Sequence, residues 1–178
     1  MPIPTVTRDP DASPRTRRAF DQLNTLLPTF SQRMEQSTTS AGNVAATETT
    51  LMSYTLPANE LSLGDCLMFE ACGTFAATAA TNKRIKATFG ATTFYDSSTL
   101  AITTANTWLI RGTIARSALA AQKCDLTIVT SSSVLVAKAA RANAAEAMDA
   151  VVLLLLTGNG TNANDVVLER FYVWKLPA

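Results

Sequence analysis

Residues 83–89 read KRIKATF, and this short stretch decides the class of fold. Ile85, Ala87 and Phe89 lie on one side of an extended chain, while the charged and hydroxylated side chains between them lie on the other. Residues 108–115 (WLIRGTIA) repeat the alternation. A period of two is typical of strands that bury only one face. The sequence therefore predicts antiparallel sheets that pack one face on a core.

Seven further segments have the same β character and are bounded by turn-like sequence: residues 50–56, 66–77, 92–95, 125–131, 134–137, 151–156 and 166–176. Short strands with little helix between them predict a mainly β fold, an antiparallel β-sandwich over residues 49–178. Residues 137–148 (AKAARANAAEAM) are the exception, because their alanine content favours a helix. Either a helix or a loop that crosses the sandwich fits this segment.

A helical periodicity precedes the β region. Apolar side chains at steps of three and four follow the a/d spacing of a heptad repeat: Phe20, Leu23, Leu27, Phe30 and Met34. We predict a short helical stalk over residues 13–35, which associates with copies of itself through this stripe. A helix packed on its own sandwich is the alternative, and Pro28 would divide the stalk into two pieces.

The N-terminal residues 1–12 (MPIPTVTRDPDA) contain three prolines, which favour an extended backbone. We interpret them as an arm that docks on a partner surface, with a disordered tail as the alternative. The candidate docking residues are apolar side chains of the arm and arginines of the arm and early stalk: Ile3, Val6, Arg8, Arg15, Arg17 and Arg18. Residues 36–48 are predicted to be a polar linker.

Two predicted strands are apolar on both faces. Residues 151–156 (VVLLLL) and 166–176 can each turn one face to the core. The other apolar face must then pack against a further protein surface instead of water. We predict that a neighbouring subunit provides it; a second layer within the same subunit is the alternative. The candidate interface residues are Val152, Leu154, Leu156, Phe171, Tyr172 and Trp174.

The charge balance limits the classes of partner. Fifteen basic and fourteen acidic side chains nearly cancel, so we expect binding neither to nucleic acid nor to an anionic membrane. Only 16% of residues are charged and 47% are apolar, which favours burial between subunits. The first eighteen residues contain no apolar run, and VVLLLL is too short to cross a bilayer. We therefore expect synthesis in a cytoplasm without a signal peptide.

The residue types argue against catalysis. The chain contains no histidine, which removes the commonest general base and metal ligand, and it has neither a CxxC pair nor a glycine-rich phosphate loop. We expect a protein that is not an enzyme and binds no cofactor or metal. Residues 158–165 (GNGTNAND) offer oxygens to a calcium ion, but their spacing is not that of an EF-hand, and a polar hairpin loop is favoured.

One pattern resembles a known family. Residues 54–116 contain an LPAN…L…GD turn, a strand that ends in glycine, an NK turn, a strand that ends in FG, and a W…G…R strand. The C-terminal TNANDVVLERFYVWKL adds an N-D turn before an alternating run. This order of turns and strands resembles the β-sandwich module of tailed-bacteriophage virion proteins. The pattern contains no catalytic signature, so no site residue is carried over from it.

The resemblance implies a jelly-roll-like sandwich, commonly trimeric, on the outside of a virion. We accordingly expect a homotrimeric capsid decoration, cement or head-fibre protein, which is made in the host cytoplasm and docked on the major capsid protein or another virion protein. The alternative is a tail-fibre or receptor-binding tip that contacts a host surface receptor. A trimeric signalling-type β-sandwich ligand is a third possibility, against which the expected lack of a secretion signal argues.

Overall fold

The structure of the chain, a computed structural model, describes residues 31–78, 82–131 and 137–178. Within those ranges it consists of eleven β-strands with their connections and contains no helix. The strands are β1 (Gln32–Ser37), β2 (Ala41–Gly42), β3 (Thr49–Leu56), β4 (Cys66–Phe75), β5 (Arg84–Phe89), β6 (Thr92–Asp96), β7 (Asn106–Ala118), β8 (Ala121–Thr130), β9 (Ala137–Ala144), β10 (Val152–Asn159) and β11 (Val166–Leu176). The prediction of a mainly β chain is confirmed.

The strands form two antiparallel sheets. The large sheet has the order β1-β11-β4-β7-β8-β9, and the short strand β2 also pairs with β11. The small sheet has the order β3-β10-β5-β6. Because the chain moves repeatedly from one sheet to the other, strands that are adjacent in sequence mostly lie in different layers, and only the β5–β6, β7–β8 and β8–β9 connections join neighbours.

The inner faces of the two sheets share one hydrophobic core. Phe69 on β4 of the large sheet meets Phe94 on β6 of the small sheet edge to face, with ring centroids 6.1 Å apart. Both side chains are buried, as are Ile85, Leu154 and Val173 on neighbouring strands. The described part of the chain is therefore a β-sandwich-like pair of layers, in which each strand buries alternate side chains.

Two aromatic rings lie on glycines at the centre of the large sheet. Phe69 of β4 pairs with Gly112 of β7, and Gly73 of β4 pairs with Trp108 of β7. A Cβ added to Gly112 would lie 2.2 Å from Cζ of Phe69, and one added to Gly73 would lie 2.6 Å from Cζ2 of Trp108. Each glycine thus leaves the space that the ring of its cross-strand partner fills.

The sandwich has two distinct ends, which we call the base and the crown. β1 begins and β11 ends at the base, because Gln32 pairs with Lys175. The β3–β4, β7–β8 and β9–β10 connections also lie at the base, whereas the connections over residues 38–48, 97–105 and 160–165 lie at the crown. Residues 1–31 therefore join the sandwich at its base.

The structure corrects the interpretation of residues 137–148. Ala137–Ala144 form strand β9, which pairs with β8, and only the residues that follow are loop. The alanines favour a helix by intrinsic propensity, but the ladder with β8 outweighs that preference. Their small size also suits the strand, because β6 of the small sheet packs against β9 and the side chain of Ala144 is buried.

The structure also corrects the C-terminal boundary of the predicted stalk. Gln32–Ser37 form strand β1 along β11, so residues 32–35 are not helical, and the predicted linker over residues 36–48 contains β2 as well. Met34 packs against the core of its own subunit instead of extending a heptad stripe. The remainder of the predicted stalk, residues 13–30, lies outside the described residues, as does the arm.

Replacing Gly73 by alanine tests the close packing around this glycine. The new Cβ would lie 1.8 Å from the carbonyl oxygen of Val167, which is backbone of the adjacent strand and cannot move aside cheaply. We expect the free energy of unfolding to fall by about 1–3 kcal/mol or more. Urea unfolding measures the change. Thr74→Ala on the outward face of the same strand is the control, and we expect it to lower the free energy of unfolding by less than about 1 kcal/mol. Equal stability of the two variants would contradict the close packing at Gly73.

Candidate functional site

The outward face of the large sheet exposes apolar side chains to water. Because alternate residues of each strand point outward, a set of half-buried or exposed apolar side chains lies on this face. We call this set the outer patch; it consists of Met68, Leu109, Val129, Tyr172 and Trp174. Its members come from four neighbouring strands, β11, β4, β7 and β8.

The strand register arranges these side chains in rows across the sheet. One row runs from Trp174 of β11 to Met68 of β4, and another joins Cys72 of β4 to Leu109 of β7 and Val129 of β8. Directly paired side chains on one face lie roughly 4.5–5.5 Å apart at Cβ, close enough to touch. Trp174 and Met68 are therefore neighbours, as are Leu109 and Val129, and the row of Tyr172, Glu70 and Arg111 lies between these two pairs.

Tyr172 and Trp174 form the most prominent part of the patch. They are two residues apart on β11 and stack with ring centroids 5.4 Å apart and an angle of 26° between the ring planes. Stacking against each other holds both side chains upright on the sheet face. Aromatic residues of this kind, rigid and amphipathic, are enriched where proteins associate.

Two ion pairs lie among the apolar rows. Glu70 of β4 accepts a hydrogen bond of 2.7 Å from Nε of Arg111 on β7, and Asp125 of β8 pairs with Nε of Arg141 on β9 at 2.8 Å. Pairs as exposed as these contribute at most about 1 kcal/mol each to stability. Their main effect is to add charged groups of both signs beside the patch, which gives a partner surface directional contacts.

The same face contains two shallow depressions. One has a volume of about 320 Å³ and is lined by side chains and backbone of β4, β7 and β8, including Met68, Thr113 and Leu126. The other has a volume of about 430 Å³ and lies between β8 and β9. Asp125 borders both depressions. Apolar and charged groups around open depressions suit binding contacts with another macromolecule.

Most of the predicted interface residues occupy a different place. Val152, Leu154, Leu156 and Phe171 have exposed fractions of 4%, 0%, 0% and 8% in a single subunit, so they belong to its own core. The prediction that these four face a neighbour is wrong: they line the core between the two sheets of the same subunit. Because both faces of residues 151–156 are apolar, alternation could not indicate which face turns inward.

Tyr172 and Trp174 are the predicted interface residues that do face outward, and they belong to the outer patch. Sequence reasoning missed Met68, Leu109 and Val129. The alternation of inward and outward side chains along each strand could have identified them. Met68, Leu109 and Val129 are each adjacent in sequence to a buried core residue, Phe69, Ile110 and Ile128 respectively, and the register of the sheet places them on the outer face.

The predicted docking and stalk residues lie almost entirely outside the described part of the chain. Met34 is the one that lies within the described part of the chain, and it packs on the core. The others lie outside the described residues: Ile3, Val6, Arg8, Arg15, Arg17, Arg18, Phe20, Leu23, Leu27 and Phe30. Their expected roles remain predictions.

A polar hub organises the base. Asp65, which is 5% exposed, accepts hydrogen bonds from the backbone N–H groups of Ser62 at 2.8 Å and of Ala178 at 3.1 Å, and Lys175 Nζ lies 3.4 Å from its carboxylate. Burial disfavours the charged carboxylate, but these three donors outweigh that cost and hold the pKa of Asp65 below its usual value. The hub ties the β3–β4 turn to the C-terminal residues.

A second polar cluster closes the crown. Lys83 is fully buried, and its Nζ donates to the carbonyl oxygens of Thr78 at 3.1 Å and Ile102 at 2.5 Å. Burial lowers the pKa of Lys83, and the nearby carboxylate of Asp165 offsets part of that effect. Asp165 is itself buried and accepts hydrogen bonds from the N–H of Asn162 and the hydroxyl of Thr78. These contacts are those of a structural turn.

Comparison with models of known protein families, with curated proteins and with solved structures finds no match to this chain. Within the described ranges, no group of three or more Cys, Asp or Glu side chains is placed to hold a metal ion. In the same part of the chain, no helix has the length and apolar character needed to span a bilayer.

Replacing Asp65 by asparagine tests the hub at the base. The pKa of Asp65 is lower in the folded chain than the usual 3.8, so its stabilising effect is complete well above that value and is lost as the pH falls through the folded pKa. In Asp65→Asn we expect a loss of about 1–3 kcal/mol at neutral pH and a shallower decline of stability below about pH 4. Urea unfolding across a pH series measures both.

The control for this experiment is Asp149→Asn, which removes an exposed carboxylate from the β9–β10 connection at the same end. This variant leaves Asp65 and its hydrogen bonds in place, so the contribution of the hub to the acid dependence should be kept. If Asp65→Asn declined with pH as steeply as the control, the hub would not have the electrostatic role assigned to it.

Proposed function

We propose that this chain is a non-enzymatic structural protein of a tailed-bacteriophage virion, which forms homotrimers and is displayed on the particle surface as a capsid decoration, cement or head-fibre protein. The single observation that carries the proposal is the outer patch, where stacked Tyr172 and Trp174 lie beside Met68 on the outward face of the large sheet. Such a surface is typical of an interaction site, and a second copy of the chain is its simplest occupant.

The strand order supports a jelly-roll assignment. Without β2 and the β8–β9 hairpin, the sandwich consists of two four-stranded layers, β1-β11-β4-β7 and β3-β10-β5-β6. In each layer, one strand from the C-terminal part of the chain lies between two strands from its N-terminal part: β11 between β1 and β4, and β10 between β3 and β5. This order arises when a long antiparallel ribbon of paired strands wraps into two sheets. Eight strands in two such nested layers are the hallmark of the jelly roll. The β8–β9 hairpin then extends one layer.

Composition supports self-association independently of the patch. Only 16% of the residues are charged, although 47% are apolar. Burial of the outer patch between copies would remove the largest apolar side chains from the solvent-exposed face of the large sheet. The trimeric state follows from the resemblance to phage virion proteins, and a predicted self-associating stalk over residues 13–30 would bring three copies together at the base.

The separation of base and crown supports surface display. Residues 1–31 join the sandwich at the base, so the predicted docking arm extends from the end opposite the crown. An anchor at one end leaves the other end free to face outward. The major capsid protein or another virion protein is the proposed docking partner, and synthesis in the host cytoplasm is compatible with assembly there.

The crown favours one second candidate, a tail-fibre or receptor-binding tip. Its connections carry exposed hydroxyl and amide groups, among them Thr103, Thr104, Thr161 and Asn162, which could contact a host receptor or glycan. The number of copies in a purified virion separates the two functions. A number close to that of the capsid protein favours decoration, whereas a few copies favour the tail.

Substitution of the stacked rings tests the proposed interface. Tyr172→Ser combined with Trp174→Ser removes most of the aromatic surface of the outer patch, and both positions face outward, so the subunit should remain folded. We expect the species of three copies to dissociate to single chains in sedimentation velocity at micromolar concentration. Leu153→Ser is the control, because Leu153 is 42% exposed on the outward face of the small sheet.

The control should sediment as three copies. If the Leu153 variant dissociates and the double variant remains a trimer, the interface lies on the small sheet instead. A single-chain mass for the unaltered protein would contradict self-association altogether.

Deletion of residues 1–12 tests the docking arm. If the arm anchors the protein, the shortened chain should lose its association with virions but keep the oligomeric state of the full chain. Co-sedimentation with purified particles that lack the protein measures association, and sedimentation velocity measures the oligomer. Normal binding of the shortened chain would show that the anchor lies elsewhere.

A further inference from the structure

The base of the sandwich exposes three large apolar side chains. Leu63, Leu119 and Val151 have exposed fractions of 66%, 73% and 61%, and each comes from a different connection: β3–β4, β7–β8 and β9–β10. Among the described residues, the other strongly exposed aliphatic side chain of a connection is Val44, 63% exposed, at the crown. Single exposed aliphatic residues are ordinary on protein surfaces, but three on adjoining connections at one end form a set.

Hydrogen bonds hold the three connections together. The N–H of Gly64, next to Leu63, donates to the carbonyl oxygen of Arg116 near the β7–β8 turn at 2.9 Å, and the N–H of Arg116 donates to the carbonyl oxygen of Asp65 at 3.0 Å. These bonds fix the turn that presents Leu63 beside the hairpin that presents Leu119. The β3–β4 and β7–β8 connections thus form one unit.

The β9–β10 connection, which presents Val151, is attached to both of the others. The side chain of Gln122, at the start of β8, exchanges two hydrogen bonds of 2.9 Å with the backbone of Glu146. The N–H of Asn59, in the β3–β4 connection, donates to the carbonyl oxygen of Met148 at 2.7 Å. The base is therefore a preorganised surface, and its three apolar side chains need little ordering on binding.

The chain outside the described sandwich joins it at this same end. β1 begins at Gln32, opposite Lys175, and Nζ of Lys175 donates to the carbonyl oxygen of Glu60 at 2.5 Å in the β3–β4 connection. The N-terminal segment that precedes β1, with the predicted docking residues, therefore starts at the base. The base is thus the end of the sandwich to which this N-terminal segment is connected.

We infer that Leu63, Leu119 and Val151 form a second contact with the virion protein that receives the N-terminal arm; this inference rests on the proposed function. The partner is a protein surface with an apolar centre, because the contact pairs three aliphatic side chains with a rim of exposed polar groups such as Ser62, Lys123 and Asp149. A contact this small is weak alone. It becomes effective because the docked arm holds the base at a high local concentration, and because three copies bind together.

The experiment uses the full chain and purified virions from a phage in which the gene for this protein is deleted. The test variant combines Leu63→Ser, Leu119→Ser and Val151→Ser, and the matched control is Val44→Ser at the crown. Co-sedimentation over a concentration series gives the apparent affinity for particles. We expect the triple variant to bind at least about tenfold more weakly than the control, while both keep the oligomeric mass of the unaltered chain.

Leu119→Ser alone is a milder variant, because Leu119 lies at the tip of the β7–β8 turn and is far from the core. It should weaken binding in the same direction by a smaller factor, which keeps the test valid if the triple variant does not fold. Circular dichroism establishes folding for each variant before binding is measured.

Particle binding of the folded triple variant equal to that of Val44→Ser overturns the inference and leaves the proposed function standing. Loss of the oligomer in the triple variant also overturns it, since the base would then contact other copies. If the unaltered chain does not bind the particles at all, the proposed function itself fails. The three failures are distinguishable in the same set of measurements.

Discussion

Two aromatic rings packed on glycines fix the centre of this structure. Phe69 on Gly112 and Trp108 on Gly73 form a reciprocal pair across β4 and β7, with ring and glycine four positions apart on each strand. A slip of one residue between β4 and β7 would turn one of the two rings to the outer face and would separate each ring from its glycine. The register of these central strands decides which residues of the large sheet face the core. It therefore also decides which residues form the outer patch.

The turn motifs that resemble the phage virion module also have structural roles in this sandwich. Asp65, in the GD turn, is the polar hub of the base, and Arg116 bonds to the backbone of that turn. Lys83 and Asp165, from the NK and N-D turns, meet in the buried cluster at the crown. These residues close the two ends of the sandwich, and the surfaces proposed for binding lie beside them.

Strand positions were predictable from the sequence because alternation is a local property. Residues 83–89 and 108–115 each have one apolar parity, and both lie in strands of the structure. The inward face of residues 151–156 was not predictable, since Leu153 and Leu154 differ only in which sheet face they occupy. The strand at Ala137–Ala144 was missed because its pairing with β8 is a tertiary contact that opposes alanine propensity. Gln32–Ser37 likewise become a strand only because β11 offers an open edge.

The central claim is that the outer patch is covered by other copies of the chain. The chain has two tryptophans, and Trp108 is only 1% exposed, so any tryptophan fluorescence that an aqueous quencher can reach belongs to Trp174. Iodide quenching of the full-length protein at micromolar concentration therefore measures whether the patch is open. If the account is right, iodide quenches little of the emission until the oligomer dissociates. A Trp174 contribution that iodide quenches readily in the intact protein, at every concentration, would contradict it.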